Sequence, residues 1–307
     1  MSGMDLTVRI GDIVFSNPLW AASGTFGYAE EFADFVDLKN VGAIITKTVT
    51  LNAREGNAPP RIVETASGLL NSIGLENKGI DNFKKEKYPF LRKIGTKIIV
   101  SVAGFCAEEF IRCVEKLEEE TPDAIELNLS CPNVRHKETR YKLISQDPES
   151  AKKIVSSVRK RTKAALIAKL SPNVTDISLI AKAVEDAGID AVSLVNTYSA
   201  MAVEAETMKP VLGNITGGLS GPAIKPMALK AVWDVYNRVD VPVIGIGGIM
   251  TGLDAVEFML CGAAAVQIGT ANFADPDAYG RILKEFKDYL KKKKIKKAAS
   301  ITGRLQT

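Results

Sequence analysis

The chain has 307 residues, 46% hydrophobic and 25% charged, with 24 Gly and 13 Pro, a composition that excludes disordered, collagen-like and disulfide-scaffold classes. Formal charge is +4, yet residues 281–307 hold ten Lys and Arg against only Glu285 and Asp288, so the rest of the chain is net negative. A mildly acidic body with a basic end lacks the clustered positive face of a nucleic-acid reader, and residues 291–307 read as a solvated, frayed tail.

In chain order, residues 6–10 and 13–15 flank Gly11-Asp12 as a hairpin. Eight short apolar, β-branched runs follow, at 19–24, 42–48, 97–103, 124–131, 165–171, 191–197, 242–248 and 265–270. Most are continuously hydrophobic, as in Ile98-Ile99-Val100, which is what strands buried on both faces require. Helix-like stretches occupy 29–37, 107–120, 147–162, 176–187, 225–239, 251–260 and 275–291. Asp147-Pro148 and Asp275-Pro276 read as N-caps followed by proline at the first helical position, and Gly188 and Gly262 stand where helix ends want a left-handed residue.

This alternation predicts an α/β fold, a (β/α)8 TIM barrel over residues 1–307 as a single domain, rather than a doubly wound sheet. The intervals 49–96 and 198–241 are about twice the others. Both follow a strand, so both insertions are expected at the C-terminal face, where barrels build active sites.

The chain shows no apolar run of the roughly 18 residues a membrane helix needs, and residues 1–12 have no basic flank or apolar leader core. The expectation is a cytoplasmic protein without a membrane partner. Cys106, Cys113, Cys131 and Cys261 form no Cys-x-x-Cys pair and have no histidine at ligand spacing, so no metal site is expected.

Several strand-end residues could carry chemistry. Gly245-Ile246-Gly247-Gly248 and Gly269-Thr270 end the last two strands in turns whose amides suit a phosphate, whereas Met250 stands where a dinucleotide fingerprint needs its third glycine. Lys47 and Lys169 end buried-strand patterns, where a cation is costly unless it meets an anion or reaches solvent. Cys131 closes the fourth strand between Asn128 and Asn133, and Pro132 stops the ladder there, which favours a thiol presented at the mouth over a buried hydrophobe. Asn71, Asn77, Asn196 and Thr197 offer neutral donors and acceptors for an amide-rich ligand. His136, the only histidine, lies in a highly charged stretch and reads as a surface-loop residue.

Taken in order, Thr46-Lys47-Thr48, Asn71-Ser-Ile-Gly-Leu-Glu-Asn77, Asn128-Leu-Ser-Cys-Pro-Asn133, Gly245-Ile-Gly-Gly248 and Gly269-Thr270 resemble the dihydroorotate dehydrogenases of class 1, from about residue 6 to 290. Gly56-Asn-Ala-Pro-Pro-Arg61 leading into residues 71–74 is most similar to class 1B, whose catalytic chain pairs with an electron-transfer chain. The resemblance implies an FMN-dependent barrel that oxidises dihydroorotate to orotate in pyrimidine synthesis. The residue matching Cys131 is the family's general base at C5, while hydride leaves C6 for flavin N5.

By the same resemblance, Lys47, Asn71, Ser72, Ile73, Gly74, Leu75, Asn128, Asn133, Asn196 and Thr197 would bind substrate. Ser23, Lys47, Thr48, Ser101, Asn128, Lys169 and Val195 would line FMN, and Gly221, Gly247, Gly248, Gly269 and Thr270 its phosphate end. FAD and a 2Fe-2S cluster would reside on a partner subunit that passes electrons to NAD, in a heterotetramer built on a homodimer. The stretch 134–142 departs from the glycine-rich mobile loop of many class 1B chains. Related flavin barrels acting on uracil or thymine, fumarate-dependent class 1A enzymes and a non-catalytic flavin scaffold are the competing readings.

Overall fold

The computed structural model describes residues 4–130 and 144–306. Eight parallel strands follow one another: β1 (Leu19–Ala21), β2 (Ala43–Ile45), β3 (Lys97–Ala103), β4 (Ala124–Asn128), β5 (Leu166–Lys169), β6 (Ala191–Leu194), β7 (Val243–Ile246) and β8 (Ala263–Ile268). Each pairs with the next, and Ala21 opposite Ile268 closes the ring, so the expected (β/α)8 barrel is the observed fold. The strands β4 to β7 are buried at every position, which explains their mostly apolar character, since one face meets the interior and the other the helices; the polar exceptions, Glu126, Asn128, Lys169 and Ser193, point to the barrel's inner polar tier or its mouth.

Around the barrel run α1 (Ala107–Glu118), α2 (Pro148–Arg159), α3 (Ile177–Asp186), α4 (Lys225–Tyr236), α5 (Gly252–Leu260) and α6 (Ala278–Lys292). The Asp147 and Asp176 carboxylates accept from Ser150 N and Ser178 N and so start α2 and α3. The second expected proline cap shifts by two residues. Asp275 ends a short helix, Ala271–Ala274, and Asp277 precedes α6 instead. Residues 29–37 form no α-helix: Glu30–Phe32 is a 3₁₀ turn entered through Ala29 at a left-handed φ of 68°, and a second 3₁₀ turn, Leu38–Asn40, follows.

The barrel interior is tiered. At the N-terminal end, Val8, Ile10 and Phe15 of the hairpin Val8–Ile10/Ile13–Phe15 plug it, packing with Trp20, Ala43, Ile99, Ala124, Ile167, Ala191, Ile244 and Ala265. Above them lies a polar tier around the fully buried Glu126, whose carboxylate accepts from Ser101 Oγ at 3.2 Å, Ser193 Oγ at 3.0 Å and Gln267 Nε2 at 3.2 Å. A cavity opens above this tier at the C-terminal face.

Both insertions reach that face. Their two strand pairs join edge to edge in one antiparallel sheet, ordered Tyr198–Met201, Thr216–Ser220, Gly68–Asn71 and Ile62–Thr65, with Gly218 opposite Asn71 at the seam. Glycine is required at 218, since a Cβ there would lie 1.9 Å from Thr197 Oγ1.

The C-terminal segment is not frayed, contrary to the reading of its lysines. Ala298 and Ile301 are buried, and the chain pairs with the N-terminus through Asp5 and Lys297. The lysines crowd the reversal after α6, whereas the apolar residues beyond it carry the packing.

Candidate active site

The strand ends supply the cavity floor. Ser23, just past β1, donates to Thr46 O at 2.8 Å and meets Thr48 Oγ1 at 3.2 Å. Thr48 Oγ1 also receives Asn128 Nδ2 at 3.0 Å and contacts Ser101 Oγ at 3.0 Å, which in turn donates to Glu126. The floor is thus a continuous chain of neutral polar groups anchored on a buried carboxylate.

Asn128 and Asn196 converge on Ser130. Asn128 Oδ1 accepts from Ser130 Oγ at 3.1 Å, and Asn196 Nδ2 donates to the same hydroxyl at 2.9 Å. Ser130 is fully buried, and both asparagines line the cavity. Cys131, Asn133 and His136 lie outside the described residues. Of the other thiols, none lines the cavity. Burial pushes Cys113 up to about 12 and raises Cys261, so neither is a base near neutral pH.

Two cations face the cavity. Lys169, at the end of β5 and beside Asn128 in the ladder, is 6% exposed, and its ammonium has no hydrogen-bond or ion-pair partner among the described residues. Lys47 is half-buried and pairs with Glu76 Oε2 at 2.5 Å. Glu76 is the one acidic side chain among the described lining residues.

The loop after residue 71 forms one wall. Gly74, at φ +76°, sits so tightly on Asn57 that a Cβ would come within 2.7 Å of its side chain. Asn57 Nδ2 donates to Ser72 O at 3.0 Å, and Asn77 Nδ2 to Leu75 O at 2.7 Å. Asn71, Ile73, Gly74 and Leu75 line the cavity, but Asn77 serves the loop's own structure. At the opposite end, Gly221, Gly247, Gly248, Gly269 and Thr270 come together, and Thr270 Oγ1 donates to Ser220 Oγ at 2.8 Å. The backbone N–H groups of Gly248 and Thr270 have no protein acceptor among the described residues, leaving donors for an anion.

Of the remaining expected site residues, Ser23, Thr48, Val195, Asn196 and Thr197 also border this cavity of about 330 Å³. Ser72 and Ser101 do not. Ser72 follows Asn71 along extended backbone and faces the other way, fully buried, while Ser101 stands one tier below, behind Thr48. Sequence reasoning missed Glu76, Ser220, Ile246, Met250 and Phe273 as lining residues. Glu76 lies inside the run 71–77, but nothing in that run marks the acid as the partner of Lys47.

No group of three or more His, Cys, Asp or Glu among the described residues could hold a metal ion, and no described helix is long and apolar enough to cross a membrane. Fold and cavity together define a (β/α)8 barrel whose mouth brings together two lysine ammonium groups, convergent side-chain amides and a cradle of glycine turns, the make-up of a small-molecule site.

The family model for dihydroorotate dehydrogenase matches residues 5–290. Over their full lengths, the chain is 51% identical to the dihydroorotate dehydrogenase B (NAD(+)) catalytic subunit of Geobacter sulfurreducens. It is 48% identical to the protein of the same description from Bacteroides thetaiotaomicron, covering 98% of this chain and 99% of that one. The chain belongs to the dihydroorotate dehydrogenase family of oxidoreductases, on the class 1B side that the motifs suggested.

Proposed function

We propose that this chain is the catalytic subunit of a class 1B enzyme that oxidises dihydroorotate to orotate with one bound FMN. The observation that carries the reading is one cavity holding, among the described residues, a Lys169 ammonium without a partner, the amides of Asn71, Asn128 and Asn196, and turn N–H groups at Gly248 and Thr270 without an acceptor. These residues fit the cofactor: the glycine turns suit its phosphate, and the buried cation suits the negative charge of a reduced ring. Bound FMN would supply the hydride acceptor.

The protein's own part is binding, orientation and proton transfer. Lys47 offers its ammonium to the substrate carboxylate, and the asparagines pair with the pyrimidine amides. Cys131, directly after the anchored Ser130, takes the C5 proton as thiolate. Because the described cysteines form no cluster with metal-ligand spacing, electrons are expected to leave through a partner chain bearing FAD and a 2Fe-2S cluster, in a heterotetramer built on a homodimer.

The test is anaerobic titration of the purified protein with dihydroorotate while following flavin absorbance. Wild type should bleach, and Cys131→Ala should do so about 10²–10⁴-fold more slowly. An alanine variant unimpaired above neutral pH would refute the assignment. Lys47 favours a carboxylate-bearing substrate, so dihydrouracil should be a poor replacement. Rapid fumarate reduction by the isolated chain, with no gain from a partner, would place it in class 1A.

A further inference from the structure

Lys47, the cation assigned to a substrate carboxylate, already holds a carboxylate of its own chain. Glu76 Oε2 lies 2.5 Å from Lys47 Nζ, and both side chains border the cavity. The two backbones are held on separate elements. Lys47 N donates to Gly27 O at 2.8 Å, just past β2, while Glu76 rides the loop pinned by Asn57, Asn77 and the left-handed Gly74 and Leu75. Glu76 therefore reaches Lys47 from a fixed point, and only its flexible side chain can yield.

An ammonium has three donors, so a second carboxylate could approach it, but two carboxylates on one cation repel each other in a partly desolvated site. We propose that Glu76 is an internal competitor for Lys47: it occupies the ammonium in the resting protein and yields to the carboxylate of the heterocycle. Affinity for a carboxylate-bearing pyrimidine is thereby set below what Lys47 alone would give, which favours product release. Rings without a carboxylate leave the Lys47–Glu76 pair intact and bind independently of it. Glu76 is a specificity-determining residue on this account, acting through Lys47 and not on the reacting atoms. The inference rests on the orotate reading of the cavity.

The experiment titrates the flavin-containing protein with orotate and, separately, with uracil, the same ring without a carboxylate, and reads each dissociation constant from the flavin spectrum. Glu76→Gln should tighten orotate about tenfold, leave uracil unchanged, and slow steady-state turnover more than flavin reduction as product release lags. Glu76→Ala should move orotate in the same direction. Orotate affinity that is unchanged or weaker in both variants overturns the inference alone, as does an equal gain for uracil. Orotate that binds neither wild type nor variants overturns the functional reading, and the inference with it.

Discussion

Gly248 sits where the cofactor cradle meets the helical shell. Its φ of +74° is strained for any side chain, and a Cβ would fall 2.7 Å from Lys225 Cβ and 2.9 Å from Gly221 O. Neither neighbour can simply turn away, because Gly221 belongs to the same cradle and Lys225 begins α4 while binding Asp254 and Glu257. Gly248→Ala should therefore cost about 1–3 kcal/mol. It should also purify with markedly less flavin, as measured by urea unfolding and the flavin-to-protein ratio. Full flavin retention would separate this turn from the cofactor. At this scale the sequence is most readable where a residue is expensive: Lys169 stands out as a cation in a buried strand. Glu76 does not, since a half-exposed acid in a polar loop has no distinguishing pattern, and only the fold brings it to Lys47.

The helices show where local rules suffice and where packing overrides them. Before α5, Thr251 and Asp254 form a capping box, and the Asp254 carboxylate also accepts from Met250 N and binds Lys225 Nζ at 2.6 Å. Burial pushes this carboxyl up, but the bonds to Lys225, Met250 and Thr251 together outweigh it and hold it below the ordinary range, while Lys225 is raised by the same contact. With the folded value below the unfolded one of about 3.9, the unfolded chain binds the proton first as pH falls. The stabilisation is complete above about pH 5 and disappears as pH drops through the folded value. Asp254→Asn should cost about 2 kcal/mol at pH 7, by urea unfolding, with a gap to wild type that narrows below about pH 4. A gap independent of pH down to 3 would assign the effect to shape alone. The Asp275-Pro276 signal was genuine turn chemistry, yet it ends one short helix rather than starting α6, because a capping sequence does not itself say which neighbour it serves.

Across the whole molecule, the barrel was legible because strands buried on both faces must be continuously apolar, and helices must alternate with them. The pairing of the two insertions was not, since Gly218 and Asn71 meet across nearly half the chain and no local period encodes that contact. The tail was misread for a related reason: charge dominates its composition, whereas its anchoring depends on a few groups. Ile295 N bonds Leu290 O at 2.9 Å as the chain reverses, and Asp5 N and Ala298 N then pair the two ends of the protein. Ala298 and Ile301 become buried, and Gly303 N, Leu305 N and Thr302 Oγ1 reach Met259 O, Leu260 O and Ala263 O, satisfying carbonyls at the end of α5 and the start of β8. These contacts lie at the end of the barrel plugged by the hairpin, opposite the cavity. Ending the chain after Lys294 should therefore lower stability by about 2–4 kcal/mol, from the lost apolar burial and the carbonyls left without partners. Orotate affinity should not change, because no described residue of the removed segment borders the cavity. Urea unfolding and orotate titration of the same preparation check both halves. Unchanged stability would mean that residues 295–307 contribute no more than their lysines suggest, and weakened orotate binding would mean that the two ends of the barrel are coupled through its polar tier.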